Sequence, residues 1–358
     1  MQSQRDGLFI LLFNNQLAVA NMETSTLENK IVSISGGTDF DSSLIFGSLI
    51  GKPANQWIAE ASQRETPKEL FHSLWYQGEM TILFATSGAG KSLLACQIGN
   101  DLSTTGTVLY LDCELSDKQF QVRYTDAEGN LFAFNENFIR MELNTEAERP
   151  DKMNEEEFLM SGIEQAVAST GAKILIVDNI TYLRSDTEKS KDALPLMKAL
   201  KQLKKKYDLS LLILAHTPKR DMTKPLTEND LFGSVMQKNF ADAMFAIGVS
   251  TTDATLRYVK QIKERSTEKI YGEDNVIVYQ VEREGAFLGF TFLQYGKESD
   301  YLKEVTEPSK MELEETINRL HAMGKSYREI ASEVHVSKSK VERLIKNGSG
   351  TVGQKINN

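Results

Sequence analysis

The sequence has very few of the residues that cross-link small secreted domains or bind zinc. It contains two cysteines, Cys96 and Cys113, and four histidines among 358 residues. Two cysteines are too few for a disulfide framework, and the cysteines and histidines do not stand at zinc-site spacing. We therefore expect a chain that holds no metal other than one brought by a ligand.

Long hydrophobic runs are also missing from the sequence. No stretch approaches the roughly 18 uncharged apolar residues that a membrane-spanning helix needs. The short apolar run at 7–13 has some features of a secretory signal, but Asp6 offsets the basic charge before it and Asn14 interrupts it early. The sequence predicts a cytoplasmic protein without a membrane partner.

Positive charge is scarce in the chain as a whole. The 41 Lys and Arg residues are outnumbered by 50 Asp and Glu residues, which gives a net charge of −9. Taken alone, this balance disfavours a general polyanion-binding protein. The deficit is uneven, however, because residues 309–358 carry nine Lys and Arg against six Glu, a net charge of +3, and the remainder carries −12. The pattern predicts an acidic body joined to a basic C-terminal module.

Apolar strands alternate with helical segments through the centre of the chain. The strand candidates are 80–84, 107–111, 173–177, 211–215 and 243–247, and the helix candidates are 91–103, 115–126, 155–169, a Lys-rich segment ending near Tyr207, and 233–240. Such alternation predicts an α/β fold with a mainly parallel sheet covered on both faces. Three later segments, 255–263, 275–283 and 287–293, predict a C-terminal antiparallel meander. Ahead of the first strand, Pro67 and the apolar residues Leu70, Phe71, Leu74 and Trp75 predict a helix.

A phosphate-binding loop is predicted between the first strand and the helix that follows it. Gly88 and Gly90 would let backbone N–H groups converge on an anion at a helix N-terminus. Lys91 can reach the β- and γ-phosphates, and the Ser92 hydroxyl can ligate Mg²⁺. Alanine replaces the usual first glycine of the motif. The eight residues of the motif are Ala85, Thr86, Ser87, Gly88, Ala89, Gly90, Lys91 and Ser92.

Two carboxylates at strand ends complete the predicted site. Asp178 ends the third strand, where it would be the second Mg²⁺ ligand, but no acidic residue follows it because the next residue is Asn179. Glu114 follows the second strand and offers an alternative catalytic base, since functional groups of parallel sheets gather at this edge. Together the motifs predict ATP and Mg²⁺ as the ligands.

In these motifs the chain resembles the RecA-like ATPases, and more narrowly the RepA, DnaB and KaiC group of hexamer-forming ATPases. The resemblance implies a RecA-like P-loop NTPase fold in which Glu114 is the catalytic glutamate and His216 senses the γ-phosphate. It also implies that Arg123, in the segment after the glutamate, belongs to the nucleotide site. Lys263 and Arg265 resemble a Lys-x-Arg pair that completes the ATP site of a neighbouring subunit, so the implied partner is another copy, in a hexameric ring.

Two polar loops, 181–192 and 217–231, occupy positions that face DNA in RecA-like rings. The stretch Phe232–Ser234 and Ala241–Asp242 resembles the segment after the second of these loops. Basic and acidic residues balance in both loops, so charge alone does not establish DNA contact. A solvated loop remains an equal alternative for both.

The C-terminal residues have the pattern of a small all-α helix-turn-helix domain. Gly324 ends one helical stripe, Ser326 and Glu329 form a capping box for the next helix, and Ser337 caps a last helix. The segment resembles the resolvase and transcription-regulator type of helix-turn-helix. Its outward residues would contact DNA, although a protein-binding tail of three helices remains an alternative. Those residues are Lys338, Ser339, Lys340 and Arg343.

The predicted organisation is a loosely ordered lead-in (1–56), an ATPase domain (57–297), an acidic linker (298–310), a helix-turn-helix domain (311–346) and a disordered tail (347–358). We expect an ATP-hydrolysing, oligomer-forming ATPase that acts on DNA, as a helicase-like or replication or transfer motor of a plasmid or mobile element. The alternative is an ATP-switched DNA-binding regulator without motor activity. A small-molecule kinase is disfavoured because neither polar loop supplies an Arg-rich lid.

Overall fold

A computed structural model describes residues 44–180, 193–231, 235–303, 307–334 and 336–348. The apolar run at 7–13, the first polar loop at 181–192, the stretch 232–234 and the last ten residues lie outside the described residues. The chain divides into two units between Thr66 and Pro67, and each unit is described by itself.

The described part of the first unit is a hairpin followed by a helix. Strands β1 (Leu44–Phe46) and β2 (Leu49–Gly51) pair antiparallel around a turn in which Gly47 has φ +58°. Helix α1 (Ala54–Ser62) follows, and the Lys52 ammonium binds both carboxylate oxygens of Glu60 at 2.7 Å. Regular structure therefore runs across residue 56, where we expected a loosely ordered lead-in to end.

Residues 67–77 form two short strands, and the helix predicted there was wrong. Strands β3 (Glu69–Phe71) and β4 (Trp75–Tyr76) pair antiparallel, and His72 in the connection has φ +42°, which a right-handed helix cannot contain. Leu74 and Trp75 are buried, as the apolar pattern required. The error arose because a short, aromatic-rich apolar segment fits a strand pairing as well as a helical stripe.

The second unit is built on one nine-stranded sheet. Its order is β13-β12-β11-β10-β5-β9-β8-β6-β7. The six strands from β10 to β7 are parallel, and β10 to β13 form an antiparallel meander, which confirms the predicted mainly parallel sheet with its meander. The strands are β5 (Met80–Ala85), β6 (Val108–Asp112), β7 (Phe138–Met141), β8 (Ile174–Asp178), β9 (Ser210–His216), β10 (Ala243–Val249), β11 (Leu256–Lys263), β12 (Val276–Glu284) and β13 (Phe287–Gly296).

Helices cover both faces of this sheet because the parallel strands are apolar on both sides. One face packs on Ile163 and Val167 of one helix and Leu196 and Leu200 of the next. The opposite face packs on the helix after β5, through residues such as Leu94. The helices are α2 (Lys91–Leu102), α3 (Asp117–Arg123), α4 (Glu155–Thr170), α5 (Ala193–Tyr207) and α6 (Val235–Phe240).

The first residues of the predicted acidic linker belong to the folded body. Residues 298–301 form a 3₁₀ turn in which Glu298 is 1% exposed and Tyr301 is 7% exposed. The Glu298 carboxylate accepts a hydrogen bond from the Lys260 ammonium at 2.5 Å. Glu298 is therefore buried because it pairs with a buried lysine, and the acidic composition of the segment did not indicate this pairing.

Three helices form the C-terminal part of the chain: α7 (Glu307–Ala322), α8 (Tyr327–Glu333) and α9 (Lys338–Gly348). The predicted capping box is present, since the Ser326 hydroxyl accepts from the Glu329 N–H and the Glu329 carboxylate accepts from the Ser326 N–H. The helices share a small apolar core, and none of the helices in the described residues is long and apolar enough to cross a membrane. The buried residues of that core are Ile317, Leu320, Ile330, Ala331, Val341 and Ile345.

Candidate nucleotide-binding site

The predicted site residues meet at the carboxyl edge of the parallel strands. Ala85, the last residue of β5, lies opposite His216, the last residue of β9. Asp112, the last residue of β6, lies opposite Asp178, the last residue of β8. Because all four strands end at one edge, the loops that follow them converge there, as expected for a parallel sheet.

The loop between β5 and α2 has the backbone conformation that its glycines allow. Gly88 has φ +75° and Gly90 has φ +100°, where residues with a Cβ are strained. Gly90 is the N-cap of α2, so the free N–H groups of the first helical turn face the loop. Ala85 is a buried residue of β5, and alanine suits this strand position.

The Lys91 ammonium is held in place by backbone carbonyl oxygens of the phosphate-binding loop. It donates to the carbonyl oxygens of Ala85 at 3.2 Å and Thr86 at 3.4 Å, and it lies 3.4 Å from Nδ1 of His216. Burial lowers the pKa of Lys91, while the carboxylates of Asp178 and Glu114 act in the opposite direction. The cation is therefore placed at the loop before any phosphate binds.

Asp178 has the environment of a metal ligand. It is 1% exposed, and its Oδ2 accepts a hydrogen bond of 2.6 Å from the Tyr110 hydroxyl. Burial raises the pKa of Asp178 to about 6, although hydrogen bonding by Ser92 and Tyr110 partly offsets this. Among the described residues, none forms a hydrogen bond of good geometry with the buried Oδ1 of Asp178. A buried carboxylate oxygen of this kind beside the Ser92 hydroxyl fits Mg²⁺.

The metal would depend on the nucleotide for its other ligands. In the part of the chain that the structure describes, no group of three or more His, Cys, Asp and Glu residues could hold a metal ion. Mg²⁺ is usually bound by one or two protein oxygens together with substrate phosphates and waters. Ser92 and Asp178 match that smaller set of protein ligands.

The raised pKa of Asp178 predicts that Asp178→Asn stabilises the ligand-free protein. Folding favours the protonated carboxyl, so its stabilising effect is complete below the unfolded pKa near 3.8 and is lost as the pH rises through about 6. A shift of about two units corresponds to about 3 kcal/mol. We expect the variant to gain about 3 kcal/mol in free energy of unfolding at pH 7.5 and roughly half of that at pH 5.

Urea unfolding without Mg²⁺ or nucleotide at the two pH values measures this effect. Asp151→Asn, at an exposed position, is the matched control and should change stability little at either pH. A loss of stability in Asp178→Asn, or a gain that does not depend on pH, would contradict the raised pKa assigned to Asp178.

Glu114 forms a compact polar cluster with two neighbours. Its Oε1 accepts a hydrogen bond from the Asn179 amide and lies 3.1 Å from Nε2 of His216. Nδ1 of His216 lies 3.4 Å from the Lys91 ammonium, and Nε2 also lies 2.8 Å from the Asn179 amide nitrogen. His216 thus connects the cation of the loop to the carboxylate.

Asn179 and Arg140 are site residues that the sequence analysis did not identify. Asn179 follows Asp178 directly, and that position was its only sequence signal. The Arg140 guanidinium bonds the Asp112 carboxylate at 3.0 Å and the Leu115 carbonyl at 2.6 Å. Asp112 in turn accepts from the N–H groups of Glu114 and Leu115. Arg140 therefore supports the turn that presents Glu114.

Arg123, Lys263 and Arg265 do not join this cluster within the chain. Arg123 ends α3 beside the Tyr124 hydroxyl, and no hydrogen bond joins it to the phosphate-binding loop within the described residues. Lys263 pairs with Met244 near the start of β10, so it lies at the opposite edge of the sheet. There Lys263 bonds the carbonyl oxygens of Lys238 and Ala241, and Arg265 bonds that of Asn239 at 2.8 Å.

The candidate DNA-contacting residues form an exposed face of α9. The buried side of this helix is occupied by Val341 and Ile345, so the charged residues project away from the three-helix core. The Ser337 hydroxyl accepts from the Lys340 N–H at 3.2 Å and caps the helix start. The exposed residues include Lys338, Ser339, Lys340 and Arg343.

The family comparison agrees with this geometry. Residues 52–222 match a family model described as AAA domain, a span that contains the phosphate-binding loop, Glu114, Asp178 and His216. No curated protein matches the chain. Over residues 52–222 the chain is therefore similar to an AAA domain, which is a domain of the P-loop ATPase kind.

Proposed function

We propose that the protein is an ATP-hydrolysing, oligomer-forming ATPase of the RecA-like kind, related to the RepA, DnaB and KaiC group, and that it acts on DNA. The observation that carries the proposal is the meeting of Lys91, Asp178 and Glu114 at one sheet edge. A cation, a metal ligand and a candidate base in this arrangement suit phosphoryl transfer to water. The motor activity and its use in plasmid or mobile-element replication are the finer parts of the proposal.

Each residue of the site has a distinct role in hydrolysis. The Glu114 carboxylate orients the attacking water and accepts its proton, and Asn179 holds that carboxylate in place. Lys91 stabilises the negative charge of the β- and γ-phosphates. When bound through Ser92 and Asp178, Mg²⁺ would neutralise charge on the phosphate oxygens. His216 lies between Lys91 and Glu114, so it is placed to respond to the γ-phosphate.

Oligomer formation is proposed from the position of Lys263 and Arg265. Both residues are at the edge of the sheet opposite the phosphate-binding loop, so a stacked or ring arrangement could bring them to a neighbour's site. An arginine supplied to the γ-phosphate in this way stabilises the transition state. Each side chain must first leave the carbonyl oxygens that it binds in its own chain.

The test of the proposed function is ATP turnover by the whole protein, compared with Lys91→Ala. We expect the variant to lose at least about tenfold in kcat/KM, because a charge-assisted contact to phosphate is removed. Equal turnover in the two proteins would rule out the assigned site. Particle size with an ATP analogue and DNA tests the ring at the same time.

The α9 helix is proposed to bind DNA, and this predicts a salt-dependent effect of its charges. The variants Lys338→Ala and Lys340→Ala should each weaken DNA binding and reduce the slope of log K against log[salt] by about one. Fluorescence anisotropy with duplex DNA across a salt series measures both quantities. Lys152→Ala, at an exposed position of the body, is the control. Unchanged binding in the α9 variants would favour a protein-binding tail.

An ATP-switched DNA-binding regulator is the second candidate function. The contacts of Lys263 and Arg265 with their own chain favour it, because releasing them costs hydrogen bonds and would slow hydrolysis. Strand displacement on a forked duplex separates the two functions. Displacement driven by ATP supports the motor, whereas ATP-dependent binding without displacement supports the regulator.

A further inference from the structure

Arg257 of the antiparallel meander lies beside the phosphate-binding loop. It pairs with Val249, the last residue of β10, and β10 is also the parallel neighbour of β5. Ile247, two residues before Val249, pairs with Ala85, where the loop begins. Arg257 therefore belongs to the same carboxyl edge as the loop, although it follows Ala89 of the loop by 168 residues and was not part of any recognised motif.

In the sequence, Arg257 lies well outside the residues 52–222 that match the family model. Its nearness to the loop is a product of the fold, because β10 runs parallel to β5 and β11 begins at the edge where both of these strands end. Sequence motifs around the loop therefore give no indication of it.

The Arg257 guanidinium joins the loop to the start of the meander. Its Nε donates to the carbonyl oxygen of Ala89 at 2.9 Å, and Ala89 lies between the two glycines of the loop. Its Nη1 donates to the carbonyl oxygens of Ala254 at 2.7 Å and Leu256 at 2.8 Å. The planar guanidinium is thus fixed from two sides, which a lysine ammonium at this position could not reproduce.

The contact with Ala89 sets the direction of a phosphate-binding donor. In a trans peptide unit the carbonyl and the following N–H point in opposite directions. When Arg257 holds the Ala89 carbonyl on the meander side, the N–H of Gly90 is turned to the other side, toward the inside of the loop. Inward N–H groups are the donors with which such a loop binds an anion.

A second strand of the meander supports the same peptide from another side. A Cβ placed on Gly90 would lie 2.9 Å from ring atoms of Phe290 in β13, so the ring packs directly against this glycine. The Gln97 side chain of α2 accepts from the Phe290 N–H at 2.8 Å and donates to its carbonyl oxygen at 3.0 Å. Gly90 is therefore held between β11 and β13.

We propose that Arg257 is a positioning residue for phosphate binding, which fixes the Gly90 N–H toward the bound nucleotide and places a fixed positive charge beside the loop. The inference rests on the proposed function, since it requires that the loop binds nucleotide phosphates. It adds a residue of the meander to the site and gives the meander a role within its own subunit.

The experiment compares Arg257→Gln and Arg257→Lys in the full chain. The dissociation constant of a fluorescent ADP with Mg²⁺ is measured by titration, and kcat and KM are measured for ATP. We expect Arg257→Gln to raise the dissociation constant and KM about tenfold, the loss of one charge-assisted bond, while kcat at saturation changes less than about twofold. Arg257→Lys keeps the charge but loses the two-sided anchor, so we expect about a fivefold rise.

The control is Arg283→Gln, since Arg283 is another meander arginine whose guanidinium binds the Thr125 and Ala286 carbonyls. It should bind ADP like the wild type. A fall in kcat without a change in ADP affinity would overturn the positioning role, and so would wild-type affinity in either Arg257 variant. Failure of the wild-type protein to bind ADP would instead overturn the proposed function itself.

Discussion

Glu114→Gln is expected to lower ATP turnover by about a thousandfold while ATP binding is retained. General base catalysis contributes about 10²–10⁴-fold to such reactions, and glutamine keeps the shape of glutamate without its basicity. The Asn179 amide can still donate to the side-chain oxygen of the variant, so the turn after β6 should keep its structure. The effect should therefore appear in kcat and leave nucleotide affinity almost unchanged.

Steady-state turnover and titration with fluorescent ADP together test this prediction. Glu136→Gln is the matched control, because Glu136 is exposed and lies in the loop before β7. Its kinetic constants should equal those of the wild type. If Glu114→Gln hydrolysed ATP at the wild-type rate, another group would have to be the base, and the role given to Glu114 would be wrong.

The parts of this site that the sequence predicts are those that stand at strand ends. Asp178, Glu114 and His216 each come at or just after a continuous apolar strand, and parallel strands bring their carboxyl ends to one edge. The phosphate-binding loop is predicted for the same reason, with its glycines and lysine between a strand and a helix. The local sequence pattern and the parallel topology of the sheet are sufficient to predict the positions of these residues.

The supporting residues depend on pairings that no local pattern records. Arg140 stands on β7, a strand of four residues that the sequence analysis did not find, and it acts through the distant Asp112. Arg257 stands on β11 and contacts Ala89, which precedes it by 168 residues in the chain. The predicted helix at 67–77 failed because the turn at His72 and the β3–β4 pairing override a helical spacing of apolar residues.

A buried ion pair in the meander supports the second polar loop. The Lys260 ammonium donates to Glu298 at 2.5 Å and to the Leu226 carbonyl at 2.8 Å, and the Lys260 and Glu298 side chains are 2% and 1% exposed. Glu298 also accepts from the Leu226 N–H at 2.6 Å. The loop that begins after His216 is thereby fixed at Leu226.

Lys260→Met is expected to lower the free energy of unfolding by about 3–5 kcal/mol, because it leaves the Glu298 carboxylate buried without its partner. Glu298→Gln leaves the buried ammonium with only the exposed Glu273 carboxylate, at 3.3 Å, as its ionic partner and should also lower the free energy of unfolding. The double variant Lys260→Met/Glu298→Gln should recover most of the loss, since it buries no charge and glutamine still accepts from the Leu226 N–H.

Urea unfolding of the three variants measures these energies. Lys206→Met is the control, because Lys206 forms its ion pair with Glu164 on the surface, with 64% and 39% of the two side chains exposed, and should change stability little. Equal losses in the double and single variants would mean that packing, not charge pairing, explains the effect. Recovery in the double variant would instead identify the buried pair as the element that ties the loop after His216 to the meander.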